Sequence, residues 1–173
     1  MRRLLLVGTA CFALGLGSAP SGREGQAGGP TSGKMASSWK CSAPNPVHAL
    51  PVGDAANHMY VIEQFKCTAT SGEIAGVKEQ EGTGTEFVDA MGDNATGHGI
   101  FVDTLANGDK LHVSYELKGT SKNKILQTGT NKWRVVSGTG MFKGIKASGT
   151  CTAKGNPDGS VNFDCNGTYA LAN

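Results

Sequence analysis

Glu63 is the residue of this chain whose type and setting most invite chemistry. In the run Met59-Tyr60-Val61-Ile62-Glu63-Gln64-Phe65-Lys66-Cys67, the side chains of Met59, Val61, Phe65 and Cys67 fall on one apolar strand face, and Glu63 falls among them. A carboxylate turned into an apolar interior has its charged form disfavoured, the usual way to make a proton donor or base near neutral pH. A structural explanation stands beside this one: the strand is bulged, or Glu63 sits at a wet rim, bonded to backbone or to a lysine. Sequence alone leaves both open.

The dipeptide Asn107-Gly108 marks a tight hairpin. A loop centred on it sets Val102 opposite Val113, Ile100 opposite Tyr115, Thr104 opposite Leu111 and His98 opposite Leu117, all on an apolar inward face. His98 and Tyr115 are therefore candidate ligand-binding residues beside Glu63. The other face carries His112 opposite Asp103, with Ser114 and Glu116 nearby. A hydrolytic triad needs a relay and an oxyanion hole, whereas this set belongs to a solvated face; a cross-strand charge pair in water is the expectation. Trp133 shares a strand face with Val135 and reads first as barrel core, with a ligand contact as the weaker alternative that makes it a third candidate. Lys78-Glu79-Gln80-Glu81 looks like a solvated strand edge.

The elements that must hold these residues are strands. From His58 onward no helical periodicity emerges, and strands are expected at His58–Thr68, Val77–Asp89, Thr96–Leu105, Lys110–Lys118, Ile125–Ser137, Gly144–Lys154 and Ser160–Leu171. About eight antiparallel strands with short turns predict an all-β fold, a small up-and-down β-barrel that removes its own edges, with a two-sheet sandwich as the other option. The last hairpin is the most sharply specified. Folding the chain about Asn156-Pro157-Asp158-Gly159 sets Cys151 opposite Cys165, Ala153 opposite Phe163, Gly149 opposite Gly167 and Ala147 opposite Tyr169. A one-residue slip would turn every side chain of one strand to the wrong face, so Cys151 and Cys165 are expected to form a cross-strand disulfide.

Of the five cysteines, Cys11 belongs to the N-terminal leader, and Cys41 is left to pair with Cys67. That bond would tie the proline-rich segment of Pro44, Pro46 and Pro51 to the first strand. The leader has a charged start, Met1-Arg2-Arg3, and an apolar run from Leu4 to Gly17 that is too short to span a bilayer. Residues 1–19 are expected to be a signal peptide, 20–40 a disordered leader or linker, and 41–173 a single β-barrel domain, with export to the periplasm or beyond and no membrane span. The chain of 173 residues has 26 glycines and a net charge of +2, which gives no footprint for nucleic acid. No phosphate loop, dinucleotide fingerprint, zinc-type spacing or calcium loop occurs, so no cofactor and no metal are implied.

Gly138-Thr139-Gly140-Met141-Phe142-Lys143-Gly144-Ile145, followed by Ser148-Gly149-Thr150, resembles the G-T-G-x-F-x-G-[IA]-x-G-x-G/A pattern of the allene oxide cyclase-like and dirigent-like barrel proteins, and is most similar to exported bacterial members. The resemblance implies a small eight-stranded barrel with an apolar lumen, in which Phe142 plugs one end. It also implies a role for Glu63, because allene oxide cyclases are similar in placing a glutamate on an early strand inside the barrel. The cyclases' other pocket residues and the dirigent proteins' acidic and basic set find no match here. Two functions follow. One is an exported barrel that binds a small hydrophobic ligand or serves as a structural module; the other is a cofactor-free isomerase or cyclase acting through Glu63.

Overall fold

A computed structural model describes residues 31–123 and 125–172. The expected signal peptide and Cys11 lie outside the described residues. The elements are β1 (Ser32–Cys41), β2 (Val47–Pro51), β3 (His58–Ile74), β4 (Val77–Met91), β5 (Asn94–Leu105), β6 (Lys110–Lys122), β7 (Ile125–Gly138), a 3-10 turn (Gly140–Phe142), β8 (Lys146–Gly155) and β9 (Val161–Ala170). They form one antiparallel sheet in the order β1-β9-β8-β7-β6-β5-β4-β3-β2, and a further pairing of β1 with β3 closes it. Eight strands thus make the barrel that the sequence predicts. The ninth, β2, pairs with the first part of β3, from Pro51 opposite Met59 to Val47 opposite Glu63.

The barrel starts earlier than expected. Residues 20–40 have the composition of a linker, yet Ser32–Cys41 is a strand, paired with β9 from Ser32 opposite Ala170 to Cys41 opposite Val161. Its alternation is present but muted: Met35, Ser37, Trp39 and Cys41 turn inward between small or charged neighbours. Short polar residues suit a linker and a strand alike, and the open edges of β9 and β3 decide the matter.

The last hairpin has the expected register, with Cys151 opposite Cys165, Ala153 opposite Phe163 and Ala147 opposite Tyr169. The middle hairpin does not. Its loop has three residues, Ala106-Asn107-Gly108, closed by Gly108 N–H donating to Leu105 O at 2.9 Å and Leu105 N–H donating to Asp109 O at 2.9 Å. Gly108 takes φ +84°, the left-handed residue that ends this type of loop. The extra residue slips the register by one, so Phe101 faces Val113, Asp103 faces Leu111 and Gly99 faces Tyr115. The β5 residues that line the interior are therefore Ala95, Phe101 and Asp103, while His98 is exposed on the outside against Phe87.

Inside, aromatic rings lie against glycines of neighbouring strands. A Cβ at Gly84 would run into the Phe65 ring, one at Gly82 into Phe101, one at Gly99 into Tyr115 and one at Gly167 into Trp133. One end of the barrel is packed shut. Ile74, Leu105 and Phe142 are fully buried and Leu111 is 2% exposed, which gives Phe142 the plugging position expected of its motif.

Both disulfides are present. Cys151–Cys165 links β8 to β9, and Cys41–Cys67 links the directly opposed partners of the closing β1–β3 seam. The second bond therefore staples strand to strand, whereas a tie between the proline-rich segment and a strand was expected. The two bonds should differ in weight. Cys151–Cys165 spans 14 residues of a hairpin already held by its turn, whereas Cys41–Cys67 spans 26 residues and the seam itself. The double substitution Cys41→Ala/Cys67→Ala should lower unfolding free energy by about 3 kcal/mol in a denaturant titration. Cys151→Ala/Cys165→Ala should cost visibly less; equal costs would contradict the seam's special role.

Candidate functional site: two carboxyl pairs in the barrel lumen

Because every strand alternates, the inward halves of all eight meet in one hollow. That hollow is a cavity of about 810 Å³. Its wall is mainly apolar, with Val61, Phe65, Phe101, Val113, Leu117 and Trp133 among the lining side chains. At one end it is bounded by Gly92 and Asp93 and by Ser121, Asn123 and Ile125; at the other it meets the packed floor around Leu111. Besides Asp93 at the rim, four carboxyl groups, Glu63, Glu79, Glu86 and Asp103, share this wall.

The first pair sits partway along the lumen. Glu63 on β3 and Glu86 on β4 are direct cross-strand partners, and their carboxyls hydrogen-bond to each other. Tyr115 on β6 donates its hydroxyl to Glu86 Oε2 at 2.7 Å, reaching across β5 through the space left by Gly99. Burial pushes Glu86 up to about 8, and the neighbouring Glu63 charge adds to the rise. Burial also raises Glu63, with the hydrogen bond from Glu86 opposing it. Burial and the acidic neighbours raise Tyr115 too, so its phenol stays a donor. Burial favours one proton shared between the two carboxyls, with Glu86, raised further by the Glu63 charge, its stronger holder. Like charges this close cannot both ionise in an apolar wall.

The second pair lies deeper. Asp103 on β5 is 2% exposed and Glu79 on β4 is 9% exposed. The two carboxyls hydrogen-bond, and Ser37 on β1 also bonds Glu79. Burial raises both, Asp103 to about 8 with a contribution from the Glu79 charge, and Glu79 to about 7. Glu79 reaches the lumen through an irregularity in β4. The register against β5 shifts between Glu79 and Glu81, which turns Glu79 to the face shared by Gly82, Gly84 and Glu86.

The residues singled out from sequence fare differently. Glu63, Tyr115 and Trp133 all line the lumen. Trp133 is buried with its indole N–H unpartnered among the described residues. His98 is excluded by the slipped register. His112 points outward to Ser137, Nδ1 to Oγ 2.8 Å, while its expected partner Asp103 lies inside the wall. Glu79 is likewise buried, where a solvated edge was expected. Glu86 escaped notice, although alternation from Gly82 and Gly84 through Glu86 to Val88 was there to be read.

No family model matches the chain, and none of the curated proteins matches it. Among solved structures, two pterocarpan synthase dirigent proteins overlap with it. PsPTS1 is 9% identical over 84% of this chain and 98% of its own, and GePTS1 is 10% identical over 95% and 100%, each with a TM-score of 0.48. Likeness at this level bears on neither substrate nor activity.

The acid pairs make stability depend on pH. The folded chain keeps protons on Glu86, Asp103 and Glu79 that the unfolded chain releases in the ordinary carboxyl range. Between the unfolded and folded titrations the native state binds more protons, so stability falls as pH rises. Unfolding free energy should therefore fall from about pH 5 to about pH 8 by on the order of 1 kcal/mol per pH unit for each retained proton, and the melting temperature should drop with it. Glu86→Gln should make that slope shallower. A slope identical in wild type and variant would contradict the assignment of the proton.

Proposed function

We propose that this chain is an exported barrel that holds a small hydrophobic ligand in its lumen, with the Glu63–Glu86–Tyr115 cluster as the polar end of the site. The observation that carries it is the cavity of about 810 Å³, whose apolar wall is interrupted by a few convergent polar groups. That volume and lining fit a small-molecule pocket, typically about 300–1,000 Å³. Export is supported by the expected leader and by the two disulfides, which persist in oxidising compartments. Placement near exported bacterial members of the allene oxide cyclase-like and dirigent-like superfamily is supported by the Gly138–Ile145 motif with Phe142 in the barrel floor.

The neutral probe N-phenyl-1-naphthylamine should brighten on binding the wild-type protein and be displaced by decanol. Val61→Trp, which fills the hollow, should weaken the probe by more than about ten-fold, equivalent to about 1.4 kcal/mol. An absent signal, or one indifferent to Val61→Trp, would overturn luminal binding.

One observation favours a second function on the same site. Glu63 and Glu86 are hydrogen-bonded cross-strand partners inside an apolar hollow, where burial raises both and favours a shared proton, the arrangement of an acid beside a base. Such a pair supports cofactor-free isomerisation or cyclisation of a hydrophobic substrate. Glu63 would take a proton from carbon next to a carbonyl while Glu86 returns one elsewhere on the conjugated system. A simple test is 3-cyclohexenone, whose conversion to the conjugated ketone is followed by ultraviolet absorbance. Rate above buffer should fall by at least about ten-fold in Glu63→Gln and in Glu86→Gln, within the range of a lost general acid or base. No acceleration by wild type would sink the enzymatic reading and leave the binder.

A further inference from the structure

The deeper pair, Glu79 with Asp103, takes no part in the cluster just assigned, and its surroundings are unusual. Ser37 and Trp39 are successive inward residues of β1, as Phe101 and Asp103 are of β5. The indole N–H of Trp39 donates to Ser37 Oγ at 3.1 Å, Ser37 bonds Glu79, and Glu79 bonds Asp103. Trp39 and Phe101 meet edge to face, centroids 5.2 Å apart with an interplanar angle of 82°. A carboxyl pair and an aromatic pair thus form one contiguous patch of lumen wall.

Two features point to an occupant. Asp103 Oδ1 and Glu79 Oε2 are buried without a hydrogen-bond partner among the described residues, and both side chains line the cavity. Moreover, five acidic residues line the cavity, Asp93 at its rim and the four luminal carboxyls, against one cationic lining residue among the described residues, Lys118. Lys118 lies towards the other end of β6 from Leu111, the residue opposite Asp103. The arrangement is also sterically built. Gly72 has φ +135°, and a Cβ there would collide with Glu79 Oε2 and with Ser37.

We propose that the floor of the lumen binds a hydrophobic organic cation, an alkylammonium whose head lies against Glu79, Asp103 and the Trp39–Phe101 pair while its chain runs up the apolar wall. An ammonium supplies the positive charge that this wall lacks and donates to the carboxyl oxygens once the two side chains turn towards it. Aromatic side chains beside it add cation–π attraction, which strengthens when the cation is desolvated. The cation favours the ionised form of the pair, so binding releases to solvent a proton that the empty pair holds. A neutral alcohol gains only hydrogen bonds there, and a carboxylate gains no opposite charge. The inference deepens the luminal-ligand reading and rests on it by naming the charge of the ligand.

Isothermal titration of the full mature protein with decylammonium, decanol and decanoate, each below its micellar range, separates the possibilities. Decylammonium should bind at least about ten-fold more tightly than decanol, and decanoate more weakly than either, the ten-fold step being about 1.4 kcal/mol. Glu79→Gln/Asp103→Asn should remove the preference for the amine while leaving decanol within about two-fold. Equal affinity for amine and alcohol in wild type overturns the cation site but spares luminal binding. A preference that survives in the double variant also overturns it. Failure of all three chains to bind overturns the luminal reading itself. Should the double variant not fold, the wild-type ranking of the three chains decides alone.

Discussion

Closure of the sheet at the β1–β3 seam is the constraint on which everything else depends. The 17 residues of β3 offer an edge that two strands divide: β2 takes its first part and β1 its last. Without β1, both β3 and β9 would present unpaired backbone, a ready template for another chain. With β1 in place, hydrogen bonding runs from β9 across to β3, and the Cys41–Cys67 bond sits on the join. Closure also fixes the chemistry. Alternating residues that would line one face of an open sheet are now turned towards a common axis, which is how Glu63 on β3 and Tyr115 on β6 come to bond the same Glu86 carboxyl.

A closed eight-stranded barrel leaves an interior that side chains can fill, so an open lumen needs a reason. Here it lies in the pairing of large inward rings with glycines. Phe65 lies over Gly84, Phe101 over Gly82, Tyr115 over Gly99 and Trp133 over Gly167. Each ring is flattened into the notch left by a missing Cβ instead of crossing the axis. The floor shows the opposite regime, with Ile74, Leu105, Leu111 and Phe142 packed to near-zero exposure. The result is a vessel with one packed end, an apolar wall and two acidic levels.

Much of this was legible in the sequence where a local rule sufficed. The hairpin of Cys151 and Cys165 was, because Pro157 and Gly159 fix the turn and alternation fixes the register. The inward place of Glu63 was too, from four neighbours on one face. What failed had local signals with two solutions. Asn107-Gly108 serves a two-residue or a three-residue loop, and that single residue decides whether His98 or Asp103 faces the lumen. Glu79 was hidden by an irregularity that alternation cannot foresee. Residues 32–41 were hidden because β1 owes its existence to edges more than a hundred residues away and to β3.

The two acid pairs are hard to explain as packing. A buried carboxyl with an unmet hydrogen bond costs on the order of 1–3 kcal/mol, and apolar residues of similar volume often do as well or better than buried charged groups. Glu63 and Glu86 partly offset that cost through Tyr115 and through their shared proton. Glu79 and Asp103 offset less, since each keeps a buried oxygen without a partner. A barrel shaped for stability alone would fill these positions with valine or leucine and close the lumen with larger residues in place of Gly82, Gly84 and Gly99. This chain keeps the hollow and sets its acids on the hollow's wall. On the proposed function, a ligand that binds only the folded state would offset part of that cost by mass action.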